Sequence, residues 1–446
     1  MQAMEWNKLL SDKRFGMEAY HDKTRHERTD FQRDYDRLIF SAPFRRLQNK
    51  TQVFPLPGSI FVHNRLTHSL EVACVGRSLG DIVGRALYKL HGEEQSSAFL
   101  EMGAIVSAAC LAHDLGNPPF GHSGENAIAT YFSEGNGMAL MKSLEDKDLR
   151  SSDFTHFEGN ANSLRLLTHQ FKGRRKGGFA MTYSTLASIV KYPYASLLSG
   201  PKGKFGFFAS EEEGFKQIAE DLGILCLSEE PLKFARYPLV YLVEAADDIC
   251  YQVMDIEDAY KLKLISTKDC MDLFLNFFPP EKRPRMLQIM DMVDDVNEKI
   301  AYLRSSVIGL LIAECCNVFL DKEQAILEGN FGGSLIQDIG ERARLAYKEC
   351  GKVACANIYR SKDVLDVELA GYRIITFLLD CLLDAVNSPE KSYSKLLMER
   401  IPDQYEIKSG DDYTKILSIV DYISGMTDVY ALDLYKKITG MNLPSL

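Results

Sequence analysis

Apolar residues return every three or four positions along most of this chain, and that spacing leaves little choice of fold class. The pattern runs through residues 66–90, 99–111, 161–167, 239–262, 286–311 and 369–386. A helix turns once in about 3.6 residues, so this spacing gathers the apolar side chains on one face, which must be buried. Sustained alternation of period two is scarce, and the best strand candidates are the short stretches 52–54 and 205–208. The expected class is mainly α, with at most one small β-hairpin. Glycine and proline interrupt the pattern at 54–59, 116–124, 172–178 and 199–206, which are expected loops. Pro279, Pro280 and Pro284 form a further break. It suggests a first helical unit over 1–278 and a C-terminal helical region over 279–446. Glu211, Glu212 and Glu213 are expected at a solvated helix start.

A chain of 446 residues with 46% hydrophobic and 26% charged residues has enough apolar surface for a sizeable core. Its 52 lysines and arginines against 62 acidic residues give a net charge of −10, which disfavours general nucleic-acid binding. A chain of this sign that handles phosphates needs a local cationic site or a metal, because its summed field repels anions. The ten cysteines show no C-x-x-C spacing and are expected as reduced, buried thiols in a cytoplasmic protein. The N-terminal segment MQAMEWNKLLSDKRF lacks the apolar core of a signal peptide. The apolar stretch 305–320 is interrupted by Glu314, so it is expected as a buried helix and not a membrane span.

Three segments supply the residue types that a first-row metal prefers: His68 in RLTHSLEV, the pair His113-Asp114 in ACLAHDLGNPPFGH, and Asp247 in YLVEAADDICYQ. Alone, a histidine on an apolar helix is usually a satisfied core residue. Here, however, His113-Asp114 closes a long apolar helix just before Gly116, Pro118 and Pro119, where unpartnered polar groups cost several kcal/mol. Two imidazoles and two carboxylates make an N/O site suited to Mn²⁺, Fe, Co²⁺, Ni²⁺ or Zn²⁺, with positions open for water and substrate. The last ligand is Asp247 or Asp248. Asp247, Tyr251 and Asp255 lie four apart on one helix face and Asp248 does not, which favours Asp247. His122 and Glu125, three apart, share a face if 121–128 begins a helix, and a carboxylate beside an imidazole raises its pKa and sets its tautomer.

The order H…HD…D on helical segments resembles that of the HD phosphohydrolase superfamily. Further stretches narrow the resemblance to the deoxyguanosinetriphosphate triphosphohydrolase family: RTDFQRDYDRLIFSAPFRRLQNKTQVFP, HNRLTHSLEV, AHDLGNPPFGHSGENA, HFEGNANSLRLL, KYP and EAADDICYQVMDIEDA. The resemblance covers about the first three fifths of the chain. It implies the HD-domain helical fold and the metal set His68, His113, Asp114 and Asp247. It also implies that His122 and Glu125 act at the scissile phosphate, with His122 as general acid or base and Glu125 orienting it.

Arg65, three residues before His68, is the first choice for an α-phosphate clamp. By resemblance, Lys191 and Tyr192 meet the triphosphate, Gln52 lies near the base, Tyr251 packs on the deoxyribose and Asp255 accepts from its 3′-hydroxyl. His156 resembles a family histidine near the phosphates. His63 is expected to be structural. Arg45, Arg46 and Lys50 fit either phosphate contacts or a solvated cationic face. The basic run 172–176 fits a charged loop, or else an oligomer or nucleic-acid contact. Tyr372 and Arg373 are candidates to reach the nucleotide from the C-terminal region.

The reaction implied is dNTP + H₂O → deoxynucleoside + triphosphate, with dGTP as the first substrate expected and a further Mg²⁺ or Mn²⁺ on the β- and γ-phosphates. A homo-oligomer is expected, with weak single-stranded nucleic-acid binding as a further partner and no membrane. The alternatives are an HD-type phosphodiesterase or 5′-nucleotidase, and a nucleotide-sensing or single-stranded DNA-binding protein whose metal site is mainly structural.

Overall fold

A computed structural model describes residues 3–20, 27–52, 63–92, 97–147, 150–359, 362–408 and 410–441. Its principal elements in chain order are α1 (Asp30–Ile39), α2 (Arg65–His91), α3 (Met102–Ala112), α4 (Gly121–Ser133), α5 (Gly159–Thr168), α6 (Tyr183–Ile189) and α7 (Glu212–Leu222). An antiparallel hairpin comes next, β1 (Cys226–Glu229) and β2 (Leu232–Phe234). The chain continues with α8 (Val240–Lys261), α9 (Arg283–Met290), α10 (Val296–Asp321), α11 (Glu341–Asn357), α12 (Lys362–Asn387), α13 (Asp412–Ser424) and α14 (Asp428–Ile438). The fold is mainly α, as the periodicity predicts.

Helix α3 lies at the centre and is buried from Met102 to Ala112 except at the partly buried Ala104. Its closest partner, α2, reaches it through glycines at one-turn intervals. A Cβ on Gly80 would lie 2.7 Å from Met102 O, and one on Gly84 2.1 Å from Phe99 O, so neither position admits a side chain. Leu79, Val83 and Leu87 of the same helix are fully buried beside them. Helix α8 packs on α2 and α3 and brings Asp247 to their ends. Two hydrophobic clusters result. The larger runs from Met4 to Val364, and the smaller joins Ala127, Phe154 and Phe208 to α12, α13 and α14. Residues from either side of position 278 contribute to both.

Several expectations change. The hairpin lies at 226–234, not at 205–208, where Phe207 makes only an isolated bridge to Ala195. Of the other candidate strand, 52–54, only Gln52 is among the described residues, and the expected loop 54–59 lies outside them. The periodic stretch 286–311 is two helices: α9 ends at Met290, and Asp295 caps the start of α10 by accepting from Asn297 N at 2.7 Å. Helix α10 is long and apolar enough to cross a membrane, with 39% of its apolar window buried. Leu303, Val307, Leu311, Cys315 and Phe319 form a buried face while Ser305, Gly309, Ala313 and Asn317 are exposed, so it is a core helix on one side only. Glu211 is not solvated: it is 6% exposed and pairs with Arg165 at 2.7 Å. The cysteines are free, but Cys74, Cys226 and Cys355 are exposed, since each lies on the outer face of its element.

Candidate active site

The first turn of α2 carries two of the candidate residues. Asn64 Oδ1 accepts from Thr67 N at 2.9 Å and Thr67 Oγ1 accepts from Asn64 N at 3.1 Å, a reciprocal cap that fixes where the helix starts. Arg65 and His68 therefore share one face, both almost fully buried. Just past α3, His113 Nδ1 lies 2.6 Å from Cys110 O. A carbonyl only accepts, so Nδ1 carries a proton and Nε2 is the ring nitrogen that faces Asp114 and Asp247. Asp114 Oδ2 accepts from Arg65 Nη1 at 2.8 Å, and its Oδ1 accepts from the Asn117 amide.

Asp247, from the middle of α8, completes the cluster. Its Oδ1 is 3.1 Å from His68 Nε2 and 3.6 Å from His113 Nε2, and the latter is 3.6 Å from Asp114 Oδ1. The donor atoms of His68, His113 and Asp114 all lie within 4.8 Å of one another. Burial disfavours charge on Asp247, but His113 and His68 outweigh it and hold its carboxyl well below the usual range. Burial likewise opposes charge on His113, yet Asp114 and Asp247 raise it to about 9. Two imidazole nitrogens and two carboxylates that attract positive charge this strongly form a donor set that fits a divalent metal, which competes for the same lone pairs as the protons.

His122 and Glu125 stand at the start of α4, and the loop before it is held open by an unusual backbone. Phe120 has φ 64°, left-handed for a bulky residue, and its N–H donates to Asp428 Oδ1 at 2.9 Å. Thr51 N donates to the other oxygen of Asp428 at 2.8 Å, so one buried carboxylate of α14 ties down two loops of the site. His122 Nδ1 lies 2.9 Å from Glu125 Oε2, while Glu125 Oε1 accepts from Gly159 N at 2.8 Å. The imidazole is 77% exposed in the cleft mouth, and the hydrogen bond and charge of Glu125 raise its pKa.

These groups line one cleft of about 330 Å³ together with Gln52, Lys191, Tyr192, Asp248 and Tyr251. Lys191 pairs with Glu244 at 3.1 Å, and Gln52 Oε1 is buried without a partner among the described residues. Asp255 does not line the cleft. It lies behind Tyr251, where it accepts from Tyr359 Oη, and burial pushes its carboxyl up to about 7. Tyr359 also stacks on Tyr251, with ring centroids 6.1 Å apart. His63 is held between Asp258 at 2.8 Å and Glu71 at 3.1 Å, the structural place expected of it.

His156 contacts Ser152 O at 3.3 Å and is not part of the cleft wall. Tyr372 bonds Thr130 on the outer side of α12, and neither it nor Arg373 lines the cleft. Arg45 is exposed, whereas Arg46 and Lys50 line a different cavity.

Sequence reasoning missed Lys204, Glu158 and Asn160, which also line the cleft. Lys204 pairs with Glu158 at 2.6 Å and lies 3.9 Å from Glu125. A signal existed, since Lys204 abuts the buried residues Phe205, Phe207 and Phe208, which anchor it at the cleft edge. Tyr359 had none, because its partners are about a hundred residues away.

A helical fold with a buried histidine-aspartate cluster at the convergence of α2, α3 and α8 defines an HD-domain phosphohydrolase, and the HD domain family matches residues 65–178. The phosphohydrolase-associated domain matches 338–437. Deoxyguanosinetriphosphate triphosphohydrolase-like proteins of Synechocystis and Pseudomonas aeruginosa are each 38% identical over 99% of this chain and 100% of their own length. The deoxyguanosinetriphosphate triphosphohydrolase of Yersinia enterocolitica is 30% identical over 92% of this chain and 93% of its own. The chain belongs to the deoxyguanosinetriphosphate triphosphohydrolase family.

Proposed function

We propose that the protein hydrolyses a deoxynucleoside triphosphate, dGTP foremost, to the deoxynucleoside and inorganic triphosphate. The observation that carries this reading is the make-up of one cleft. It joins the histidine-aspartate cluster, an orientable imidazole, the cations Arg65, Lys191 and Lys204, and a tyrosine shelf. A divalent metal (Mn²⁺, Mg²⁺ or another first-row ion) held by His68, His113, Asp114 and Asp247 supplies Lewis acidity and lowers the pKa of a water.

The chain's own residues do the rest. Arg65 is anchored through Nη1 on Asp114, which orients its planar fork toward an α-phosphate. Lys191, Tyr192 and Lys204 bind the remaining phosphate oxygens. Water adds to the α-phosphorus as the bond to O5′ breaks. His122, with Nδ1 committed to Glu125, transfers a proton through Nε2, either taking it from water or giving it to O5′. Tyr251 covers the 2′ side of the sugar, Asp255 accepts from the 3′-hydroxyl once Tyr359 yields it, and Gln52 meets the base. In this reading residues 1–278 are the catalytic core and 279–446 complete the pocket. The enzyme is cytoplasmic and homo-oligomeric, and its loop 172–176 is the place for weak contact with single-stranded nucleic acid.

The test is product analysis on a mixture of the four dNTPs. Inorganic triphosphate with deoxyguanosine in excess is expected. Phosphate or diphosphate as the inorganic product would point to a nucleotidase or phosphodiesterase, and no turnover in the metal-loaded protein would leave a sensing role.

A further inference from the structure

Arg46 and Lys50, left between two readings by the sequence, line a second cavity of about 60 Å³ that shares no wall residue with the catalytic cleft. It lies on the seam between the HD segment and the associated C-terminal segment, where Lys172 N donates to Gln404 O at 3.3 Å. A water occupies ~10–15 Å³ on such a scale, so the space takes a few waters or one tetrahedral oxyanion, and no nucleoside.

The charges around this space are unbalanced. Arg46 has no hydrogen-bond or carboxylate partner among the described residues. Burial and the nearby Arg174 lower its pKa, and only Tyr405 acts the other way. Arg174, on the exposed basic loop, has no side-chain partner there either. Lys50 is 2% exposed and, among the described residues, donates only to neutral carbonyls, Asn117 O and, at 2.8 Å, Ser424 O. Burial pushes its ammonium down to about 7. The one carboxylate in the wall among the described residues, Asp421, already accepts from Arg165 Nε and Nη2 at 2.8–3.1 Å. Partly buried Arg46 and buried Lys50 thus face the exposed Arg174 without a free counter-charge, which is unfavourable, and a phosphate relieves it through the planar fork of a guanidinium.

We propose that this seam cavity is a second anion site, in which Arg46, Arg174, Lys50 and Tyr405 hold one phosphate group, from inorganic phosphate or from the 5′-phosphate of a nucleotide. Its occupant bears on the catalytic cleft through one chain of contacts. Lys50 grips the carbonyl of Asn117, and the Asn117 amide donates to Asp114.

The site is tested by calorimetric titration of inorganic phosphate at constant ionic strength into the full chain carrying Lys191→Ala, which weakens phosphate binding in the cleft. Saturable binding is expected there. Adding Arg174→Gln should weaken it on the order of tenfold or more, the loss of one charge-assisted hydrogen bond. Arg174 is exposed, so this variant keeps the fold even if Arg46→Gln does not. Lys172→Gln, on the same loop but outside the cavity wall, should leave the isotherm within twofold. A deoxynucleoside 5′-monophosphate that competes with phosphate identifies the nucleotide as the source, and failure to compete identifies the free ion. No binding in the Lys191→Ala protein, or equal loss with Lys172→Gln and Arg174→Gln, overturns the proposal. None of these outcomes depends on what the cleft hydrolyses.

Discussion

Replacing Glu125 by glutamine removes one charge and almost no volume, and the hydrogen bonds around it fix the consequence. Glu125 Oε1 accepts from Gly159 N at 2.8 Å, so the amide oxygen of a glutamine must face that donor. Its NH₂ then faces His122 Nδ1, which lay 2.9 Å from a carboxylate oxygen. An amide NH₂ only donates, so His122 must leave Nδ1 bare and carry its proton on Nε2, in a neutral ring. The carboxylate that raised the pKa of His122 is gone, and the value should fall to the ordinary ~6.5 or below. A positioned proton-transfer group contributes roughly 10²–10⁴-fold, so kcat should fall within that range at pH 8 while metal content stays unchanged. If His122 acts as the acid, the alkaline limb of the pH profile of kcat/KM marks its pKa and should move to lower pH in the variant. Steady-state kinetics from pH 5 to 9 (about the titration range of histidine) and ring nitrogen NMR read both effects. A kcat within twofold of the unmodified enzyme, with an unmoved limb, would refute the assignment of this pair.

Four further outcomes are expected. Asp247→Asn should lose stoichiometric metal by elemental analysis, while Asp248→Asn keeps it, because Asp248 is already pushed up to about 7 by burial and the nearby Asp247. Tyr251→Ala should narrow the preference for dGTP over GTP, which an unpaired hydroxyl cost of about 1–3 kcal/mol places at roughly ten- to a hundredfold; equal efficiency in the unmodified enzyme would show the sugar pocket is misplaced. Arg165→Met strands two buried carboxylates, Asp421 and Glu211, and should destabilise by about 3–5 kcal/mol in urea melts; an unchanged midpoint would mean the triad contributes nothing. His63 is raised to about 10 by Asp258 and Glu71, so its contribution is complete below the unfolded value of ~6.5 and is lost as pH rises through about 10. The stability advantage over His63→Gln should therefore shrink between those limits, and a constant difference would contradict the pairing.

Local pattern carried much of the site. Helical spacing alone put Arg65 with His68, His122 with Glu125, and Asp247 with Tyr251 on shared faces, and the glycine-proline loop after His113 marked where polar residues leave a buried helix. Spacing failed at 286–311, where the helix ends at Met290 and a new one starts behind the Asp295 cap. It also failed where the same residue type serves two surfaces. Arg46 and Lys50 sit in a family-like segment with Gln52, yet only Gln52 lines the cleft, and the 3₁₀ turn Leu47–Asn49 brings Lys50 to the same second cavity as Arg46.

The sequence by itself determined the helical class, the order of the candidate metal ligands and the pairing of His122 with Glu125, because each depends on positions within four residues of one another or on residue types strung along helices. Only the tertiary structure decided that Lys204 lies between Glu158 and Glu125, that Tyr359 caps Asp255, and that Glu211 pairs with Arg165 and leaves solvent. Those contacts join helices distant in sequence. Which side chains meet there depends on how closely helices pack, as where Gly80 lets α2 rest on the backbone of α3 and Gly84 on that of the turn before it, and no local periodicity encodes that distance.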